Sequence, residues 1–219
     1  MLADRSSDTY AGFLSLAKDA ARVDGILVNT FPEVEPAVGQ GGTDGVKDMP
    51  VHAVGPLVWT RPVATGVNRE PEHARLITWL DQQPRGSVTA ILAHAAVGCF
   101  VTHCGWNSSL ESILNGVPMV AWPLYAEQKM NAAMLEAHSG VAARLNAAGP
   151  GNGDGFVCKE EIVSVIRRVM DGDEATTMRM RAGELRDRAT HALAMDGSST
   201  LALAKVTALW KSSTSSDEK

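Results

Sequence analysis

One span of the chain restricts the fold more than any other. From Val97 the residues VGCFVT form an apolar run that ends at a glycine turn, Gly105, and Val117 to Trp122 form a second run behind Gly116. Runs this short, bounded by turn residues, read as buried strands over Val97–Thr102 and Val117–Trp122. Ser108–Asn115 between them reads as a helix, with Gly116 at the position where a helix ends in a left-handed residue. Strand, helix and strand in succession imply a parallel α/β sheet.

The alternation continues outside this span. Tyr10–Ala21 reads as a helix with Phe13, Leu14 and Ala17 on one face, followed by a buried strand at Ile26–Val28 between Asp24-Gly25 and Pro32. Val51–Val58 reads as a strand that Pro56 interrupts or ends, because proline cannot donate to a sheet ladder. Gln40–Asp48 is a glycine-rich loop. Thr60–Pro71 mixes Pro, Gly, Thr and Asn without periodicity, which marks a linker and domain boundary. A short helix is expected at Glu72–Asp81, stopped by Pro84. Past the second strand, Asn131–Ala137 is helical, Ala147–Gly155 is a loop, and Ile162, Val165, Ile166 and Val169 follow the spacing of one helix face. Met178–Ala194 and Ser199–Trp210 complete the helices, with Trp210 as a core anchor, and the tail SSTSSDEK is expected to be disordered. About five strands can be counted, fewer than a parallel sheet covered on both faces normally has.

Composition removes several function classes. With 219 residues the chain has room for one domain, or one and part of another, and 45% hydrophobic with 21% charged residues suits a packed core. The net charge is -5 and Lys and Arg do not cluster, so a nucleic-acid partner is not expected. Three cysteines, Cys99, Cys104 and Cys158, make no CxxC pair, which points to a reducing compartment and against disulfides or zinc. MLADRSSDTY has no signal-peptide pattern, and no apolar run reaches membrane-spanning length. The expectation is a cytoplasmic protein with no transmembrane segment. GNGDG (Gly151–Gly155) and DGDE (Asp171–Glu174) lack the ligand spacing of a calcium loop and read as linkers, so no metal is expected.

The polar residues concentrate where the first strand meets the helix. Ser108-Ser109-Leu110-Glu111 fits a capping box, which by itself needs no ligand. A helix N-terminus after a strand and a glycine turn is also an anion site, and His103, Asn107 and Ser108 add donors suited to phosphate oxygens. In parallel α/β sheets ligands bind beyond the carboxyl ends of the strands, where His103, Glu127 and Gln128 all fall. If the two strands are neighbours, an anion site and an acid–amide pair able to read sugar hydroxyls share one cleft. The spacing points to a phosphorylated or nucleotide-linked sugar.

Ala93–Gln128 closely resembles the signature box of plant family-1 UDP-glycosyltransferases, whose core reads T-H-C-G-W-N-S-x-x-E, then G-V-P, then W-P and a closing D/E-Q. Thr102–Ser108, Glu111, Gly116–Pro118, Trp122-Pro123 and Glu127-Gln128 match it. DGILVNTF-x-E-x-E-P, VGPL, WLDQQPRGSV and EQKMNA extend the likeness over nearly the whole chain, and it looks closest to the hydroquinone and phenol glucosyltransferase branch. The resemblance implies a GT-B type fold, two facing α/β domains with parallel sheets, here with an incomplete donor domain. It implies that His103 and the backbone around Gly105 and Trp106 hold the diphosphate, with Asn107 and Ser108 on the α-phosphate. Glu111 would accept the ribose hydroxyls, and Glu127 and Gln128 would read the sugar. It further implies glucosyl transfer from UDP-glucose, as donor substrate and with no cofactor, to a small phenolic or other hydroxylated acceptor.

Against that pattern some parts are missing. The family's box opens with W-A-P-Q, whose tryptophan stacks on uracil, and nothing equivalent precedes Ile91-Leu92. PRGSV runs straight into TAILAHAAVGCF, so a block is expected to be absent between Val88 and Ile91, taking the family's glycine-serine loop and several strands. The family's catalytic histidine and its orienting aspartate have no counterpart, and the chain is expected to begin late in the acceptor domain. His52, His73, His138 and His191 read as surface or packing residues and His94 as structural, so no catalytic residue is assigned. The domain reading is 1–58 as a remnant acceptor domain, 59–85 as linker and helix, 86–198 as a partial UDP-sugar domain, and 199–219 as terminal helix and tail. The alternative is a non-catalytic remnant that binds UDP-sugar weakly or not at all. A nicotinamide dehydrogenase is disfavoured because no GxGxxG opens a βαβ unit.

Overall fold

The computed structural model describes residues 15, 23, 25–36, 38, 50–58, 87–88, 92–94, 96–146 and 157–214. The helices expected at Tyr10–Ala21 and Glu72–Asp81, the linker Thr60–Pro71 and the loops Gln40–Asp48 and Ala147–Gly155 lie wholly or almost wholly outside them. The chain forms two compact units, Val58–Asp187 and Met1–Leu57 with Arg188–Lys219.

In the first unit four parallel strands stand in the order β3-β4-β5-β6: β3 Ser87–Val88, β4 Val97–Thr102, β5 Met119–Ala121 and β6 Ala142–Arg144. The central ladder pairs Phe100 with Met119, Val101 with Val120 and Thr102 with Ala121. Cys99, Val120 and Ala143 face a core completed by Leu145, Val157, Val165, Val169 and Met178. Met119 and Ala121 alternate to the opposite side from Val120 and are also fully buried, so β5 is covered on both faces. The expected helix face is realised in α3, Lys159–Met170, where Val165 and Val169 enter this core and Ile162 and Ile166 flank it. Each such side chain contributes roughly 2 kcal/mol by leaving water.

Helix α1, Trp106–Leu114, packs against β4. It ends as the glycine signal required: Gly116 has φ 65, its N–H donates to Ile113 O at 2.9 Å, and the Val117 N–H donates to Ser112 O at 3.0 Å. That is the Schellman pattern, which satisfies two carbonyls the helix would leave open. Helix α2, Gln128–Ala137, packs on β6, and α4 covers Gly172–Ala192.

Several boundaries differ from the sequence reading. Strand β6 was not expected: its alanines look like helix continuation, but Gly140 at φ 66 stops α2 and pairing of Ala142 with Met119 makes the strand. β5 is shorter than Val117–Trp122 because the Schellman turn takes Val117. The Asp171–Glu174 stretch is not a linker, since α4 already starts at Gly172 with Asp173 and Glu174 suiting its positive end. β3 and β4 are parallel neighbours with an irregular register, joined by residues 89–96 alone. A parallel crossover normally takes about a dozen residues or more, usually with a helix.

In the second unit β1, Ile26–Val28, and β2, Val51–Ala53, pair in parallel. β2 stops well before Val58. Beyond it the Asn29 carboxamide takes over, with Oδ1 accepting from Leu57 N–H at 2.6 Å and Nδ2 donating to Leu57 O at 3.1 Å. A Cβ on Gly55 would meet Thr30 N at 2.6 Å, so DGILVNTF and VGPL are two sides of one close backbone approach. Helix α5, Ser198–Thr214, packs on β2, and the buried Ser199 hydroxyl donates to Gly55 O. The helix runs through the first residues of the expected disordered tail. Trp210 is 58% exposed and is not a core anchor; Phe31, Val34 and Val206 hold the interior. Among the described residues no helix is long and apolar enough to cross a membrane.

Candidate nucleotide-sugar site

The pairing of Thr102 with Ala121 answers the condition set by the sequence: the strands are neighbours. Their carboxyl ends lie side by side, so the turn His103–Gly105 and the loop Trp122–Glu127 leave the sheet along one edge. The Trp122 N–H donates to Thr102 O at 2.8 Å, which extends the ladder beyond β5 and fixes the two exits to each other.

The turn has an uncommon backbone. Cys104 adopts φ 63, a left-handed conformation that side chains other than glycine rarely take. Its N–H donates to Thr102 Oγ1 at 3.1 Å, its buried Sγ lies 3.7 Å from Thr102 O, and Asn131 Nδ2 donates to its carbonyl at 3.0 Å. Burial pushes the Cys104 thiol up to about 11, against a smaller opposing pull from the Trp122 backbone. It is therefore a packing group at neutral pH, not a nucleophile.

Gly105 caps α1 with φ -61 and ψ 139, a conformation open to any residue. The absence of a side chain leaves room for the imidazole of His103. A Cβ at this position would overlap His103 Nε2 and sit 3.1 Å from Cε1, so the exposed imidazole lies directly over the start of the helix. The capping box is not formed: the helix starts two residues before Ser108, and no side chain caps it. Ser108 thus sits in the first turn and Glu111 one turn later. Asn107, Ser108 and Glu111 share the open face of α1, while Ser109, Leu110, Ser112 and Ile113 are buried on the other. The result is an exposed imidazole, an amide and a hydroxyl at the positive end of a helix, with a carboxylate one turn inward.

Across the edge, Glu127 is exposed at the N-cap of α2 and follows Ala126 at φ 52. Gln128 is only 3% exposed. Its Oε1 accepts from the N–H groups of Leu124 and Tyr125 at 2.9 and 3.0 Å, which braces the loop that presents Glu127. Every residue proposed from the sequence, His103, Gly105, Trp106, Asn107, Ser108, Glu111, Glu127 and Gln128, belongs to these two exits or to the helices that follow them. Asn131 was missed. The available signal was an asparagine three positions after Gln128, on the same face of α2.

The chain matches the model of the UDP-glucoronosyl and UDP-glucosyl transferase family over residues 44–193. It is 31% identical to UDP-glycosyltransferase 72B1 of Arabidopsis thaliana, covering 95% of this chain and 58% of that protein. It is likewise 31% identical to hydroquinone glucosyltransferase of Rauvolfia serpentina, over 97% of this chain and 61% of the relative. The first match runs over 288 aligned positions, more than the 219 residues present, so that relative carries residues inside the matched span with no counterpart here. A Polygonum tinctorium UDP-glucosyltransferase capable of glucosylating indoxyl has the same fold, with a TM-score of 0.82 at 31% identity, over 95% of this chain and 59% of that one. Phytolacca americana UGT2, complexed with UDP-2fluoro-glucose and pterostilbene, superposes with a TM-score of 0.77 at 31% identity, over 95% and 58% of the two chains. These solved relatives have the GT-B fold, of which this chain supplies part. On the strength of its family match and its relatives, this chain belongs to the UDP-glucoronosyl and UDP-glucosyl transferase family.

Proposed function

We propose that the edge formed by the ends of β4 and β5 binds the UDP-sugar donor of a glucosyl transfer to a small hydroxylated acceptor. The observation that carries this reading is the Thr102–Ala121 pairing, which brings the His103–Gly105 turn and the Glu127–Gln128 pair to one edge. His103 and the turn at Gly105 and Trp106 would take the diphosphate, Asn107 and Ser108 the α-phosphate, and Glu111 the ribose hydroxyls. Glu127 would select the hexose, with the buried Gln128 holding the loop that presents it through Leu124 and Tyr125, in keeping with UDP-2fluoro-glucose bound to the Phytolacca americana relative.

In the transfer the acceptor oxygen bonds to the anomeric carbon as the bond from that carbon to the diphosphate oxygen breaks. UDP leaves with the electron pair, and the acceptor proton must pass to a base that no residue of this chain is assigned to supply. The positive end of α1 and the His103 imidazole stabilise charge developing on that leaving group. Glucose as the donor sugar, a phenolic acceptor, the absence of any cofactor requirement and a cytoplasmic location all belong to this proposal. So does the domain assignment, with residues 86–198 as the partial donor domain.

Calorimetric titration of the purified chain with UDP and UDP-glucose tests the reading. Saturable binding that Glu111→Ala weakens supports it. Absence of binding by a cooperatively melting chain refutes it and leaves the non-catalytic remnant.

A further inference from the structure

We propose that Asn131 is a positioning residue for the diphosphate turn, acting through the backbone of Cys104. Asn131 is 8% exposed, and its carboxamide donates to a carbonyl 27 residues away in sequence. Packing alone would favour an apolar side chain in that place, because a buried amide is tolerated only where it is hydrogen-bonded. The carbonyl it holds belongs to the residue at φ 63, immediately before Gly105. Rotation of that peptide re-aims the Gly105 N–H and carries the start of α1 away from His103. Thr102 Oγ1 fixes the nitrogen side of Cys104 and Asn131 fixes the carbonyl side, so the left-handed residue is held at both ends. Gln128, one helical turn earlier, braces the opposite loop through Leu124 and Tyr125. The first turn of α2 is therefore a bracket with one carboxamide on each of the two loops. Asn131 needs no contact with the nucleotide to control its binding.

This inference rests on the donor-site reading, and its test separates the two. Asn131→Ala and the volume-preserving Asn131→Asp are made in the full chain. Each is titrated with UDP, melted, and followed by amide hydrogen exchange at residues 104–107 and 119–121. The expected result is a cooperative melt, UDP affinity lower by about tenfold, the scale of one lost hydrogen bond, and faster exchange at 104–107 with 119–121 unchanged. Unchanged affinity with unchanged exchange at 104–107 overturns the proposal. Exchange rising equally at 119–121, or failure of both variants to melt cooperatively, also overturns it, by making Asn131 a general packing residue. If the unsubstituted chain binds no UDP, the donor-site reading fails by itself, and the exchange pattern still decides the role of Asn131.

Discussion

His103 lies over Gly105 so closely that a single added carbon on the glycine would overlap its Nε2. Gly105 has ordinary negative φ, so an added methyl group meets only the exposed imidazole, which can swing aside, and not the backbone. Gly105→Ala should therefore displace His103 while the fold survives. UDP affinity is expected to fall about tenfold or more, with the melting temperature nearly unchanged. In a His103→Ala background the same substitution should add little further loss, and a double-mutant cycle by calorimetry measures that coupling.

Glu136 gives a pH-dependent prediction. Burial raises its carboxyl pKa, but hydrogen bonds from the Arg144 backbone and guanidinium, with the charges of Arg144 and Arg168, outweigh burial and leave it below the ordinary value. A carboxylate depressed in the folded state stabilises above its unfolded pKa, and that contribution disappears as pH falls through the folded pKa. The pair is partly exposed, which limits the effect to no more than about 1 kcal/mol. Urea titrations of the unsubstituted chain and Glu136→Gln should differ at neutral pH and converge in acid.

The thiols should separate by environment. Burial pushes Cys99 and Cys104 up to about 11, whereas Cys158 is exposed. At neutral pH one thiol should react rapidly with a disulfide reagent and two only on unfolding. Rapid modification of Cys104 in the folded chain would contradict the packing role assigned to it.

Asn29 makes a prediction for the other unit. Asn29→Ala removes both hydrogen bonds to Leu57 and should destabilise that unit by about 1 kcal/mol. The UDP affinity of the donor edge should not change, and denaturant unfolding alongside calorimetry reads both quantities.

Much of this was legible in the sequence, for identifiable reasons. Gly116 announced the end of α1 because a Schellman turn demands a left-handed residue, and Val165 and Val169 announced the buried face of α3 by their spacing. Strand β6 was not legible, since Gly140 marks an end to α2 but nothing local makes Ala142–Arg144 a strand, and its conformation comes from pairing with Met119–Ala121. The site residues were recognisable by type and order. The capping box was not a cap, because the helix starts at Trp106 with Gly105 as its N-cap, which places Ser108 inside the first turn. Asn131 was missed because its role depends on a contact with Cys104 that only the tertiary structure creates.

Titration of UDP into the unsubstituted 219-residue chain and into Gly105→Ala tests the central claim most directly. The structure predicts saturable binding by the first and binding weaker by about tenfold or more in the second, with both melting cooperatively. Equal affinities in two folded proteins, or no binding by the unsubstituted chain, would contradict a donor site built on the His103–Gly105 turn.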